Sequence, residues 1–418
     1  MASPVIYHVD VNSAFLSWEA ACRISEGYMG EDLRTIPAVV GGSQATRHGI
    51  VLAKSLPARA YGIQTGEPLV SARSKCPNLV VVPPRYEVYV DYSRALMELL
   101  RRYSPKVEQY SIDEAFCDMT GMEYINGPPM AFAEELRVLI REELGFTVNI
   151  GVSSNKLLAK MASDFKKPDR VHSLWPEEVP TKMWPLPVGD LFFVGHRTEE
   201  KLHTLGILTI GDLARADESM LVAVFKSFGR TLHSFSQGVD DGTAAAICPV
   251  NKGYGNSITV PYDIKDCESA ALTILSLTET VGARIRADHA FISVVAISIV
   301  DNDFHYMSHQ MTLLSATDVT EVIYRAAMKL FREAWTGIPI RQIGVHTSRA
   351  TQNGMYQYNL LDGSRYDRLS ALSHAVDEIR ARYGDDSVKR ACFINSPVHH
   401  MGGGVAPSRR TAITGKEV

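Results

Sequence analysis

Residues 4 to 11, Pro-Val-Ile-Tyr-His-Val-Asp-Val, read as a buried strand that carries a carboxylate, Asp10, near its end. A second apolar run, Tyr110-Ser111-Ile112-Asp113-Glu114-Ala115-Phe116, is interrupted by two adjacent carboxylates. A buried carboxylate is expensive unless something positive compensates it. Two side by side repel, so a divalent cation is the natural partner for both places. Three oxygen-ligand residues without His or Cys favour Mg2+ over zinc. Strict alternation sends Asp113 and Glu114 to opposite faces of an ideal strand. Both reach a common cation only where the backbone turns, as at a hairpin junction. Taken singly, each carboxylate also has an ordinary reading, Asp10 as a helix cap and Asp113-Glu114 as an exposed turn.

Around these runs strands and helices alternate. A helix is expected from Ser13 to about Ile24, then short β-type runs across 36–82 with a small helix from Ser55 to Tyr61, ended by Gly62. A helix follows from Asp91 to Tyr103, and strands from Val107 to Ile112 and Ala115 to Met119. After the Gly127-Pro128-Pro129 break come a helix (Met130 to Leu144), a β run (Phe146 to Gly151) and a helix (Lys156 to Phe165). This order indicates an α/β or α+β sheet domain. Residues 176–242 read as short helices punctuated by Gly and Pro. From about 250 the pattern is strand 252–261, helix 267–287, strands 290–301 and 304–313, helix 318–335 and strand 340–349, a β-α-β-β-α-β order. A helix at about 366–383 leads to a Gly-, His- and Arg-rich tail expected to lack fixed structure.

A chain of 418 residues exceeds one compact core and suits two to four domains. The six cysteines (Cys22, Cys76, Cys117, Cys248, Cys267, Cys392) form no CxxC pair. That pattern suits reduced thiols in a cytoplasm and argues against a zinc knuckle or a disulfide framework. The N-terminus lacks a signal-peptide pattern, and no apolar stretch approaches the roughly 20 residues that span a bilayer, so membrane association is not expected. Net charge is −4, so nucleic-acid contact would need local basic patches, hydrogen-bond donors or a partner. Arg59 and Lys167 fit a triphosphate pocket, Arg as a bidentate clamp and Lys as a point charge, although each alone reads as an ordinary surface charge.

Four stretches carry a resemblance to a known family: His8-Val9-Asp10-Val11-Asn12-Ser13-Ala14-Phe15, Pro57-Ala58-Arg59-Ala60-Tyr61-Gly62-Ile63, Ser111-Ile112-Asp113-Glu114-Ala115-Phe116, and Gly151 to Ser163 running on to Lys167-Pro168. In this order and spacing the chain resembles the Y-family translesion DNA polymerases of the DinB/UmuC branch, with weaker similarity to about residue 395. The resemblance implies an α+β multidomain right hand that extends primer-template DNA from deoxynucleoside triphosphates. Palm would be 1–13 and 78–175, fingers 14–77, helical thumb 176–242 and the β-α-β-β-α-β little finger 250–350, with 351–418 beyond. It further implies two Mg2+ held by Asp10, Asp113, Glu114 and the Val11 carbonyl, Phe15 as a steric gate against the 2′-hydroxyl, and Arg59 and Lys167 on the triphosphate. Nucleotidyl cyclases share such a palm, but lack the downstream segments. A non-enzymatic repair scaffold of this family would lack the carboxylates.

Two departures stand out. The family commonly has Tyr where this chain has Leu56, which cannot donate a hydrogen bond, so Ser55 or Lys54 would have to substitute. In the thumb, Leu191 to Leu202 resembles a helix-hairpin-helix that normally reads Gly-x-Gly, letting backbone amides approach a phosphate. Here Gly195 is present but the first glycine is Phe193, which is expected to distort the hairpin. Between 250 and 350 nine Lys/Arg face ten Asp/Glu, leaving scattered DNA contacts such as Lys252, Arg284 and Arg349. Gln357-Tyr358-Asn359-Leu360-Leu361-Asp362 resembles the short peptide by which bacterial polymerases bind the sliding clamp. Gln357 would supply paired hydrogen bonds, and Leu360 and Leu361 would fill a groove.

Overall fold

The computed structural model describes residues 4–42, 47, 49–240, 251–352 and 363–403. Two compact units are formed, 4–42 with 50–240, and 251–352 with 363–403. The first opens with β1 (Ile6–Val11), α1 (Ala14–Ser25), β2 (Ala38–Gly41), β3 (Val51–Lys54), α2 (Leu56–Ala60), α3 (Leu69–Lys75), β4 (Val80–Val82) and α4 (Tyr86–Tyr103). It continues through β5 (Lys106–Gln109), β6 (Glu114–Asp118), α5 (Glu123–Asn126), α6 (Pro129–Leu144), β7 (Val148–Ser153), α7 (Lys156–Asp164) and β8 (Val171–Ser173). Short turns lead to α8 (His196–Thr204), α9 (Ile210–Arg215), α10 (Glu218–Phe225) and α11 (Ser227–Ser236).

β1 is the middle strand of a five-stranded sheet in the order β5-β6-β1-β7-β8, antiparallel to both neighbours. All six of its residues are buried, because helices cover both faces. Tyr7, Val9 and Val11 enter one core with Trp18 of α1, Leu96 of α4 and Leu136 of α6. The alternate residues face α7, where Ile6 packs with Phe116 and Ala159. α7 lies this close because Gly151 on β7 has no side chain; a Cβ there would sit on the Ala159 carbonyl oxygen. The outer side of α7 (Leu157, Leu158, Met161) joins Leu202, Ile210, Leu213, Leu221 and Leu232 in a second core. One helix thus ties the sheet to the helical segment after it. A small sheet, β3-β2-β4, has its own core of Val39, Val51, Ala58, Ile63 and Leu69. α4 starts at Tyr86, earlier than the expected Asp91, because Tyr86 and Tyr89 pack their rings around Phe15.

The second unit runs β9 (Gly255–Ile264), α12 (Cys267–Ala287), β10 (Ile292–Asp301), β11 (Tyr306–Thr317), α13 (Thr320–Ala334), β12 (Ile340–Ser348) and α14 (Gly363–Tyr383). This is the β-α-β-β-α-β order read from the pattern, folded as an antiparallel sheet β11-β10-β12-β9. Ile274, Leu277 and Val281 of α12, with Ile323 and Phe331 of α13, cover one face of it. The tail departs from expectation, since the described residues after α14 are folded onto this unit. Arg380 and Arg390 pair with the buried Glu279 of α12 at 2.9 and 2.8 Å, Arg286 pairs with Asp377 at 2.5 Å, and His400 is buried. A carboxylate buried on α12 requires such partners; α14 supplies Arg380, and the tail expected to lack structure supplies Arg390. Among the described residues no helix is long and apolar enough to cross a membrane.

Candidate active site

β1 and β6 pair so that Asp10 stands directly opposite Glu114, which puts both on one sheet face. Asn149 of β7 stands opposite Asp10 on the other side. Asp113 lies in the bend just before β6. Its carbonyl accepts the Val11 N–H at 3.1 Å, and its carboxylate accepts the Ser111 hydroxyl at 2.6 Å. The bend removes the difficulty raised by strand alternation: Glu114 follows the pleat, and Asp113 is placed by the turn beside the end of β1.

α7 and the loop after it bring positive charge to this face. Lys160 Nζ lies 3.0 Å from Glu114 Oε2, and Lys167 Nζ lies 2.8 Å from both Asp10 Oδ2 and Asp164 Oδ1. The loop is held by Asn149, whose Nδ2 donates to the carbonyls of Ser163 and Lys166 at 3.0 and 2.9 Å. Asn12 Oδ1 accepts the Asp169 N–H at 2.7 Å. His8, fully buried, places Nδ1 2.8 Å from Ser163 Oγ and Nε2 3.5 Å from Glu114. Burial pushes the Asp10 carboxyl up to about 6; Lys167 pulls it back, and neighbouring Glu114 and Asp164 add to the rise. Burial also pushes Glu114 up, but His8 and Lys160 overcome it and hold the carboxyl down at about 2. His8, Lys160 and Asn149 were not singled out from sequence. The signal for them was the alternation of polar residues along β1 and just past its end (His8, Asp10, Asn12), which marks a polar face inside the fold.

The donor set is all oxygen, three carboxylates and the Val11 carbonyl, as a hard divalent cation requires. The raised Asp10 carboxyl is a buried negative charge that Lys167 does not fully compensate, which is what such a cation would relieve. The residues therefore fit a metal. Asp10, Asp113 and Glu114 do not bring three ligand atoms within 4.8 Å of one another; among the described residues Asp386-His399-His400 and Asp301-Asp303-His305 do. Asp301 Oδ1 is occupied by the amides of Asp303 and His305. His400 Nδ1 faces the Arg380 guanidinium at 3.4 Å, where a metal-ligating imidazole needs an acceptor.

Phe15 stacks on Tyr89 with ring centroids 4.8 Å apart and planes at 16°, and meets Tyr86 edge-on at 6.0 Å. The Tyr89 hydroxyl donates to buried Glu19 at 3.2 Å, which anchors this aromatic layer. Arg59 is exposed on α2 and forms no ion pair with the described residues. Ser55 does not replace the missing tyrosine. Its hydroxyl donates to Ile36 O at 2.7 Å and accepts the Ala38 and Ala58 amides, and the residue is buried. Lys54 donates to Ile63 O at 2.6 Å and keeps two further N–H groups.

Gly195 caps α8, with open space where its Cβ would be. Phe193 stands in the hairpin at the place of the first glycine. It adopts a φ of 70°, the left-handed conformation that glycine favours, and is 56% exposed with its ring 4.1 Å from Phe192. Lys252 and Arg349 are exposed. Arg284 donates to Gly255 O at 3.0 Å and lies over the Tyr254 ring, so its own fold engages it. Gln357, Leu360 and Leu361 lie outside the described residues.

Comparison with known proteins matches residues 9–164 to the impB/mucB/samB family, 251–360 to that family's C-terminal domain and 176–207 to its HHH motif. The chain is 42% identical to DNA polymerase IV of Clostridium acetobutylicum over 396 residues, covering 94% of this chain and 98% of that protein. It is 38% identical to DNA polymerase IV of Moorella thermoacetica over 391 residues, 91% and 94% of the two chains. Among solved structures it resembles a Y-family DNA polymerase chimera with a TM-score of 0.68 and 22% identity, over 84% of this chain and 100% of that one. The chain belongs to the impB/mucB/samB family and is a DinB-like Y-family DNA polymerase, a DNA-directed enzyme of translesion synthesis.

Proposed function

We propose that this enzyme adds deoxynucleotides to a primer 3′ end at the polar face of the five-stranded sheet, with Asp10, Asp113, Glu114 and the Val11 carbonyl holding two Mg2+. The observation that carries the reading is the β1–β6 register, which sets Asp10 against Glu114 with Asp113 at the adjoining bend. The ions would supply Lewis-acid stabilisation of the charge that develops as the primer oxygen displaces pyrophosphate. Lys167, with the exposed Arg59, would hold the triphosphate and orient it for in-line attack. Phe15, fixed by Tyr89, would lie under the sugar and reject a 2′-hydroxyl. Asp113→Asn keeps the shape and removes the charge. Extension should fall by orders of magnitude while duplex binding changes little, and near-normal extension at saturating Mg2+ would refute the assignment.

We divide the chain as palm 1–13 and 78–175, fingers 14–77, thumb 176–242 and little finger 250–350. The separate small core around Val39 and Leu69 supports the fingers, although α1 shares the palm core. Gly195, Lys252 and Arg349 would touch the DNA, and Arg284 would do so through the N–H groups that its bond to Gly255 O leaves. Charge supports a tether as well: a chain of net charge −4 grips DNA weakly, and clamp binding through Gln357, Leu360 and Leu361 would raise its effective concentration at the primer. Replacing these three with Ala should abolish clamp-stimulated synthesis and spare clamp-free synthesis; retained clamp binding would place the tether elsewhere. Free thiols at all described cysteines support a reducing cytoplasm.

A further inference from the structure

Two of the three carboxylates assigned to the metals are already paired with lysines. Lys160 holds Glu114 at 3.0 Å and Lys167 holds Asp10 at 2.8 Å. Neither ammonium is loosely placed. Lys160 is buried on α7 beside the Phe192 and Tyr110 rings, at 5.4 and 6.0 Å from their centroids. Lys167 follows a loop tied to the sheet by Asn149, and it has a second carboxylate, Asp164, within 2.8 Å. An ammonium and a divalent cation cannot share one buried carboxylate without repelling each other.

We propose that Lys160 and Lys167 stand in for the metal ions in the resting enzyme, and that each must release its carboxylate before a divalent ion can bind. The inference rests on the metal and triphosphate roles given above. Lys167 is drawn off Asp10 by the phosphates of the incoming nucleotide, which frees a ligand for the cation that travels with them. Metal and triphosphate therefore help each other to bind, and by linkage each raises the affinity of the other equally. Lys160 has no such phosphate role. It is a positioning residue that neutralises Glu114 and keeps its carboxylate turned toward α7 until a metal competes for it. The resting site thus lowers the cost of its buried acids, Glu114 fully and Asp10 in part, without a permanently bound ion.

The test is Mn2+ binding to the full chain without nucleotide or DNA, followed by electron paramagnetic resonance. Lys160→Met removes the competitor at Glu114 and should bind Mn2+ about tenfold more tightly than wild type. Lys160→Arg, which keeps the charge, should bind as wild type does. In EDTA, Lys160→Met should melt earlier than wild type, and Mn2+ should restore it, which separates a change in the site from a failure to fold. Lys167→Met frees Asp10 and should also tighten Mn2+ binding. Mn2+ affinity unchanged or weakened in both methionine variants would overturn the proposal, since lysines that merely support the ligands give that result. Asp113→Asn serves as the control for the underlying reading: if it binds Mn2+ like wild type, the metal assignment fails rather than the exchange.

Discussion

Replacing Gly151 with Ala should disable the site without touching any residue in it. The new Cβ would overlap the Ala159 carbonyl oxygen and lie 2.5 Å from the Ser163 amide nitrogen, where ordinary contact begins at 3.4 Å. Both obstacles are backbone of α7, so no side chain can swing aside; the helix must retreat by about 1 Å or more. Overpacking of this kind costs about 1–3 kcal/mol, and a clash with helical backbone belongs at the upper end. Replacing Gly in the unfolded chain returns only about 0.4–1 kcal/mol. α7 carries Lys160 and leads to Lys167, so the retreat also stretches the 3.0 and 2.8 Å contacts to Glu114 and Asp10. A misplacement of about 1 Å costs roughly a hundredfold in rate. Thermal melting and primer extension at saturating nucleotide measure the two effects. A Gly151→Ala protein with wild-type melting and wild-type extension would refute the packing argument, and one that melts early yet extends normally would show that α7 does not position the lysines.

Other consequences are open to direct measurement. Phe15→Ala should leave deoxynucleotide incorporation near wild type and admit ribonucleotides, because a gate acts by steric rejection; an unchanged preference in side-by-side assays would place the gate elsewhere. At Phe193 the left-handed backbone makes Gly a better replacement than Ala. The Phe193→Gly protein should be more stable than Phe193→Ala by about 1–2 kcal/mol in denaturant melts, the reverse of the usual order. The Asp10 carboxyl, raised from 3.8 to about 6, contributes stability below about pH 4 that is lost as pH rises through 6. In EDTA, Asp10→Asn should therefore melt above wild type at pH 8, by on the order of 3 kcal/mol, and lose that advantage at pH 4. Equal melting at pH 8 would show that Lys167 compensates the charge fully.

What could be read from residue order was whatever local chemistry dictates. Alternation and helical spacing placed β1, α12 and the β-α-β-β-α-β order, and apolar runs broken by acid marked Asp10, Asp113 and Glu114. Such signals depend on neighbours a few residues away. The site's charge balance does not. Lys160 is 46 residues from Glu114 in sequence and Lys167 is 157 from Asp10, and they meet because β1 lies between β6 and β7 with α7 drawn onto Gly151. The tail departs from expectation for the same reason: Arg390 is 111 residues from Glu279, and composition alone says nothing of a buried acid awaiting it. Ser55 was open as a substitute donor until Ile36, Ala38 and Ala58 were seen to occupy its hydroxyl. Sequence thus determined which groups carry negative charge into the sheet and in what order the elements form. Tertiary structure alone decided what neutralises that charge, because burial and pairing are properties of the three-dimensional neighbourhood.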